Sequence, residues 1–333
     1  MKILLISNYS EGVGGISVQV KSLRDHLRGE GYTADIFSTK GSTFFRIKAF
    51  FRLLSFGRAY DVFHIHACSF RGFLPAVFGI IVGKLLKKRI ILTYHGGDAD
   101  SFLMKRPKFV PFFLRKTDVN IVLSGYLAKI FDANNISNVV IPNIIELEGN
   151  HFRQRDNIRP KFICIRSHTK IYNIECTLNA FSEVKKKVPE AQLTLLGDGP
   201  VHQELVNYVT CNGIKDVSFI GQVDNSQIYG YLDNSDIMVS SPVIDNMPVS
   251  ILEGFNAGLL VISSNVGGVP YMIQNGVNGL LFESRNAQQM ADRMLWAIEN
   301  QELVKEMISK ARTSLNDYVW ESIWIKLKEA YGI

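Results

Sequence analysis

The chain has 333 residues, 47% of them hydrophobic and 20% charged, enough to bury a large core and to make two domains. Its net charge of +6 is unevenly spread: residues 1–150 hold 20 Lys and Arg against 11 Asp and Glu, net +9, whereas 151–333 are net −3, so the first half is expected to meet an anionic surface or substrate, with membrane headgroups and nucleic acid as candidates. The four cysteines, Cys68, Cys164, Cys176 and Cys211, show no CxxC spacing, which argues against a metal knuckle or a disulfide framework and for a reducing cytoplasm.

The N-terminus, MKILLISNYSEG, has only a short apolar run and reads as a first strand, not a signal peptide. Further strands are predicted over 33–37, 62–66, 90–94, 119–123 and 139–141, then over 162–166, 192–196, 217–220, 237–240 and 260–263. Helical patterns fill the gaps at 18–28, 73–86, 125–134, 175–188, 203–211, 227–233 and 287–299. The apolar stretch 73–83 contains Pro75, ends at Lys84 and falls short of the roughly 20 residues that span a bilayer. Strand–helix alternation implies parallel sheets covered on both faces. The pattern restarts near residue 160 after the polar stretch 146–160 (ELEGNHFRQRDNIRP), which reads as a linker. Two doubly wound domains in series would place a ligand at the carboxyl ends of the strands, between the domains. Trp320, Ile323, Trp324, Leu327 and Tyr331 recur at helical spacing near the C-terminus and predict a closing helix packed on a domain face.

The segment 245–268, DNMPVSILEGFNAGLLVISSNVGG, carries the most information. Asp245 and Glu253 are eight residues apart at the start of a predicted helix. On one continuous helix that spacing sets the carboxylates about 12 Å apart. An acid/base pair acting on one bond needs roughly 5–9.5 Å, so the pair suits a ligand with two polar ends, such as a sugar and a ribose. The plainer reading is a helix N-terminal charge and an exposed Glu.

Other loops follow predicted strands. NYSEGVGGI, residues 8–16, supplies glycines where a helix N-terminus meets an anion, or simply a tight strand–helix turn. The run TYHGGDAD, starting at Thr93, places His95 at a carboxyl strand end, with Asp98 near enough to help polarise a hydroxyl; a metal site there lacks a third ligand. His64 and His66 alternate on a strand and read as structural. LLGDGP, residues 195–200, offers glycines for close approach to a ligand, or good turn chemistry. Arg166 and Lys170 end the first strand of the second domain, a planar fork and a point charge suited to phosphate.

Residues 44–58, FFRIKAFFRLLSFGR, with the basic clusters through 84–116, have the composition of an interfacial membrane anchor. The aromatics outnumber what a phosphate-tracking helix needs and no nucleic-acid motif accompanies them, which favours an anionic membrane over nucleic acid.

With LLGDGP, VSFIGQV, SDIMVSSP and DNMPVSILEGFNAG followed by VISSNVGGVPYMI and NGLLF in this order, the chain resembles the retaining family-4 glycosyltransferases of the GT-B fold. In the first half GVGGISVQVKSLRDHLRGEGY, HIHACS, TYHGGD, LSGYLAKIF and VIPNII are similar to the family's acceptor-domain elements. The resemblance implies two Rossmann-like α/β domains facing across a cleft: an acceptor side over 1–150, a donor side over 151–316, and a helix over 317–333 packing back on the first. It puts Asp245, in place of the family's usual Glu, near the donor sugar, and Glu253 on the ribose hydroxyls. Backbone N–H groups at Met247 and Val249 would face the pyrophosphate, and Arg166 would bind it. The family's Lys slot holds Tyr172, with Lys170 two residues earlier. Gly197 and Asp198 would line the cleft, Ile220 to Val223 would hold the base, and Gly14, Gly15 and His95 would close the site.

The function so implied is retaining transfer from a nucleotide-diphosphate sugar, UDP-sugar favoured, to a saccharide or lipid-linked acceptor, without cofactor or metal. It would occur on a cytoplasmic protein held peripherally at the inner membrane face through 44–58 and 84–116, as part of cell-surface polysaccharide or glycolipid synthesis. Competing readings are an epimerase or hydrolase on the same architecture and a nucleotide-sugar-binding subunit without turnover.

Overall fold

The computed structural model describes residues 1–10, 15–147 and 152–333; the side chains of residues 43, 44, 46, 47, 225 and 226 lie outside that description. The chain divides into two units, Met1–Ile144 with Tyr318–Ile333, and Ile145–Asp317.

In the first unit, strands and helices alternate as β1 (Lys2–Ser7), α1 (Gly15–Gly29), β2 (Thr33–Ser38), α2 (Thr43–Phe56), β3 (Val62–Ala67), α3 (Leu74–Leu85), β4 (Arg89–Tyr94), α4 (Ala99–Lys105), α5 (Phe109–Leu114), β5 (Val119–Val122), α6 (Gly125–Ala133) and β6 (Val139–Val140). The sheet is six-stranded in the order β2-β1-β3-β4-β5-β6, and its strand pairs are parallel. Alternation along β1 explains why both faces need cover. Leu4 and Ile6 join one core with residues of α2 to α6, while Ile3 and Leu5 join another with α1.

The second unit continues with β7 (Lys161–Ile165), α7 (Ile174–Lys187), β8 (Gln192–Leu196), α8 (His202–Cys211), β9 (Val217–Gly221), α9 (Asn225–Asp233), β10 (Ile237–Ser240), α10 (Val249–Asn256), β11 (Leu260–Ser264), β12 (Leu280–Phe282), α11 (Ala287–Glu299) and α12 (Gln301–Ser314). Its order is β12-β11-β10-β7-β8-β9, again parallel. The chain steps outward from β7 to β9 and then returns to the other side of β7, so the strand order reverses between β7 and β10. In an open α/β sheet that reversal opens the crevice where ligands bind.

The last helix, α13 (Trp320–Tyr331), belongs to the first unit. Trp320 stacks on His26 at 4.4 Å and donates from Nε1 to Glu30 at 2.9 Å, and Arg89 reaches the Ala330 carbonyl at 2.9 Å. Trp320, Ile323, Trp324, Leu327 and Tyr331 fill the α1 side of the sheet, as their helical spacing predicts. No helix of the described residues is long and apolar enough to cross a membrane.

The stretch expected to be a linker is in its described part an anchor. Arg155 is 3% exposed; it donates to the Asp236 carboxylate at 3.0 Å and to the Ala257 and Gly258 carbonyls at 2.7 and 2.6 Å. Arg153 and Arg159 share the same buried carboxylate. Burial alone would raise the Asp236 pKa, but hydrogen bonds from Arg159 and Arg153 hold it below the usual range. The run of charges reads as a linker because composition does not disclose that one buried acid collects three of its arginines.

Candidate functional site

Arg166 is the first residue beyond β7, and Ser240 ends β10, so the two stand on either side of the strand-order reversal. Arg166 Nε donates to Ser240 Oγ at 2.9 Å, and Nη1 lies 3.2 Å from Asp245 Oδ2. The guanidinium rests 5.1 Å from the centre of the Tyr172 ring, a cation–π seat. Nη2 is buried and without a hydrogen-bond partner in the protein. Three of its faces are therefore held, and one planar donor remains for an anion. Tyr172, in the slot of the resemblance's lysine, supports the arginine from below. Lys170 opens a short 3-10 turn, Lys170–Tyr172, and is solvent-exposed. That turn is pinned to the end of β10, with Val243 N–H on the Ile171 carbonyl at 2.8 Å and Ser241 Oγ on the Asn173 carbonyl at 2.8 Å.

Asp245 and Glu253 do not share a helix. α10 begins at Val249, with Pro248 at its N-cap in extended conformation and no side chain capping it. Asp245 stands in the preceding loop, so the 12 Å figure drawn from continuous helix geometry does not apply. The loop is fixed by its own backbone: Gly268 N–H donates to the Asp245 carbonyl at 3.0 Å, and Asn246 N–H to Asp245 Oδ1 at 2.8 Å. Gly267 has φ +52°, and a Cβ there would collide with the Asp245 carbonyl oxygen. The Gly-Gly turn thus exists to let Asp245 approach. Glu253 is partly buried on α10, and burial pushes its carboxyl up to about 7, with Arg166 pulling the other way. Met247 and Pro248 are buried and Val249 is half-buried at the helix start.

The glycines of LLGDGP answer first to the protein. Gly197 has φ +129°, and a Cβ would overlap the Arg166 carbonyl; at Gly199 it would meet the His168 carbonyl. Close approach of the neighbouring loop is needed at both positions, whether or not a ligand also approaches. That packing aligns Arg166, whose N–H bonds the Leu196 carbonyl at 3.0 Å. Ile220, 37% exposed near the end of β9, and half-buried Val223 beyond it lie past the next strand.

The same loops bring together His168 and His202, to which the sequence assigned no role. With Asp198 they put one ligand atom each within 4.8 Å of the others, the metal-capable group found among the described residues. The two Nδ1 atoms are 2.9 Å apart, whereas two nitrogens on one tetrahedral zinc at about 2.0–2.1 Å would stand about 3.3 Å apart. The spacing is that of one imidazole donating to the other, and the arrangement fits a proton-sharing pair better than a zinc clamp.

In the first unit His95 follows β4, its N–H bonded to the Ala67 carbonyl at 2.8 Å. Its Nε2 meets His66 Nδ1 at 3.0 Å, and His66 stacks on His64 at 4.5 Å. His64 bonds Tyr331 Oη and Thr93 Oγ1, both at 2.7 Å. Burial lowers the pKa of all three histidines, His95 to about 4 and His64 to about 3, so each is neutral at pH 7. Asp98, the expected partner of His95, instead precedes α4 and accepts from Ser69 through its carbonyl at 3.2 Å. Gly15 starts α1 and is exposed; Gly14 lies outside the described residues.

The aromatic–basic helix α2 is split by burial. Ala49 and Leu53 enter the core and Phe50 packs edge-on against Phe78, while Phe45, Phe51 and Phe56 are 39%, 64% and 48% exposed. Leu85, Met104, Phe109 and Phe112 are exposed as well.

Residues 150–314 match the family described as glycosyl transferases group 1. An uncharacterized glycosyltransferase of Methanocaldococcus jannaschii is 22% identical, over 99% of this chain and 98% of its own length. N-acetyl-alpha-D-glucosaminyl L-malate synthase of Bacillus anthracis is 25% identical over 77% of this chain and 70% of its own. Among solved structures, Anabaena HepE in complex with UDP superposes with a TM-score of 0.78 at 16% identity, covering the whole of both chains. Two parallel six-stranded sheets with covering helices match that GT-B architecture. The second unit thus carries the domain described as glycosyl transferases group 1.

Proposed function

We propose that the protein transfers a sugar, with retention and without a metal, from a nucleotide-diphosphate donor to a saccharide or lipid-linked saccharide. The observation that carries this reading is the Arg166 guanidinium, held by Ser240, Asp245 and Tyr172 at the strand-order reversal with Nη2 unsatisfied. A diphosphate accepts that donor, and the uncapped start of α10 adds backbone N–H groups and a favourable dipole. As the glycosidic bond breaks, negative charge grows on the leaving diphosphate, and a fixed cation stabilises it without solvent reorganisation. Lys170, exposed on its pinned turn, is the second cation for that charge. Glu253 takes the ribose hydroxyls, Asp245 the sugar, Gly197 and Asp198 border the donor, and Ile220 to Val223 receive the base. His95, neutral at pH 7, offers a hydrogen bond to a sugar hydroxyl. UDP is the favoured nucleotide, in keeping with the UDP bound by HepE. The exposed aromatics and cations of the first unit suit peripheral attachment to the cytoplasmic membrane face, in glycolipid or surface polysaccharide synthesis.

A thermal-shift screen of UDP-, GDP- and ADP-sugars tests the donor. A true donor at a hundredfold excess over Kd adds ~2.7 kcal/mol; no shift with any of them sinks the proposal. Product NMR reads retention from the anomeric centre, and turnover unaffected by EDTA is expected. The Tyr172 in the lysine slot favours a second reading, a donor-binding subunit without turnover. UDP-sugar binding with neither transfer nor hydrolysis across a broad acceptor panel would select it.

A further inference from the structure

The first unit holds a second concavity, a cavity of about 510 Å³ between the start of α3 and the α4–α5 turn. Its size is within the roughly 300–1,000 Å³ of small-molecule sites. Phe73 and Phe102, 2% and 4% exposed, pack at 5.4 Å as its floor, with Val77 beside them. Phe70 and Phe109, 44% and 49% exposed, stand at its rim. The wall offers a nucleotide base or a sugar ring almost nothing to hydrogen-bond. Its polar groups are two guanidiniums, Arg71 and Arg106, both exposed and neither paired with a carboxylate among the described residues. Lys105 lies 5.3 Å over the Phe70 ring and adds a third cation.

The rim is also where the backbone is strained. Phe70 has φ 54°, a left-handed conformation that an aromatic residue rarely takes and that tends to mark functional sites. It is held because Cys68 N–H reaches the Gly72 carbonyl at 3.1 Å and Gly72 N–H the Ser69 carbonyl at 3.1 Å. At Gly72 a Cβ would strike the Cys68 sulfur. The strained turn presents the Phe70 ring to Phe102 at 5.0 Å and sets Arg71 at the mouth.

We propose that this cavity seats the hydrocarbon chain of a lipid-phosphate acceptor, with Arg71 and Arg106 binding the phosphate at its mouth. A long apolar wall with unpaired cations only at its opening complements a molecule that is a chain at one end and an anion at the other. The role as acceptor rests on the glycosyltransferase reading; the binding of a lipid phosphate does not. Membrane attachment through the outer faces of α2 and α5 would bring such a molecule within reach.

The test is calorimetric titration of the full chain with monomeric alkyl phosphates below their micellar concentration. Decyl phosphate should bind at one site, with affinity rising about fourfold per methylene from hexyl to decyl, the equivalent of ~0.8 kcal/mol per buried CH₂. Ethyl phosphate and 1-decanol should each bind at least tenfold more weakly than decyl phosphate. Val77→Trp, which fills the cavity, should abolish binding. The double variant Arg71→Glu/Arg106→Glu should weaken decyl phosphate at least tenfold and leave decanol unchanged. UDP-sugar thermal shifts on the same samples verify folding and test the donor site separately, so loss of either binding leaves the other standing. Decyl phosphate binding that survives Val77→Trp, or equals that of decanol, overturns the proposal. So does binding confined to anionic vesicles, which would make the surface a membrane patch, or preference for an apolar peptide over decyl phosphate.

Discussion

Arg166 Nη1 lies 3.2 Å from Asp245 Oδ2, an ion pair between the end of β7 and the loop beyond β10, with both side chains mostly buried. Because Ser240 and Tyr172 hold the same guanidinium, it cannot turn toward solvent when the site is empty. Its position is therefore set before any diphosphate arrives, the condition under which a cation contributes most to a transition state.

Arg166→Lys keeps a charge but loses the fork and the ring contact. We expect kcat/KM to fall by on the order of 10²–10³, the range for removing one fixed electrostatic donor. Near-UV circular dichroism should be unchanged. Steady-state kinetics with the identified donor reads it; a loss below threefold would remove Arg166 from the diphosphate.

Glu253 ties stability to function. Its pKa is raised from 4.5 to about 7, so between those values the folded chain keeps a proton that the unfolded chain releases. Stability is fully present below about 4.5 and declines as pH rises to about 7. Glu253→Gln removes that loss and should stabilise the ligand-free protein at pH 8 by up to ~3 kcal/mol, at 1.36 kcal/mol per pKa unit. The same variant should bind the donor at least tenfold more weakly. Urea melts at pH 5 and 8 and donor titration together distinguish the two effects.

The histidine chain has the opposite pH dependence. His64, His66 and His95 are held neutral in the fold below their ordinary 6.5, whereas the unfolded chain protonates there. Stability is thus retained above about 6.5 and lost as pH falls, at up to ~1.4 kcal/mol per pH unit for each histidine. Urea unfolding between pH 7 and 5 should show a steep slope, flattened by His66→Gln. Turnover should show no ionisation of His95 between pH 6 and 8.

Gly197→Ala places a methyl against the Arg166 carbonyl at a φ of +129°. A loss of about 2–4 kcal/mol is expected from strain and overpacking, with donor binding reduced beyond what stability explains because Arg166 moves. Thermal melts with and without nucleotide sugar check it. Wild-type stability in this variant would mean that the two loops are not in contact in solution.

Much was legible beforehand. The strand periods placed β1 and β3 to β5 within a residue, the last helix lies within three residues of its expected ends, and glycine-rich turns marked the loops beyond the strands. Arg166, Asp245 and Glu253 were named from residue type and position. What misled was treating a local pattern as continuous. Asp245 was put on the helix of Glu253, although Pro248 bars the helix from starting earlier. Residues 146–160 read as a linker because they are polar and charged, although Arg153, Arg155 and Arg159 are tied to the buried Asp236.

Sequence by itself determined the alternation of elements and hence the parallel α/β class, because side-chain period and turn chemistry depend on neighbours along the chain. Only the tertiary structure decided that Tyr172 lies against Arg166, that His66 joins His95, that His168 meets His202, and that Tyr331 reaches His64. Those contacts join ends of different strands and helices. Which ends meet depends on strand order, and strand order follows from how helices cover both faces of each sheet, a packing outcome of the whole unit that no single segment encodes.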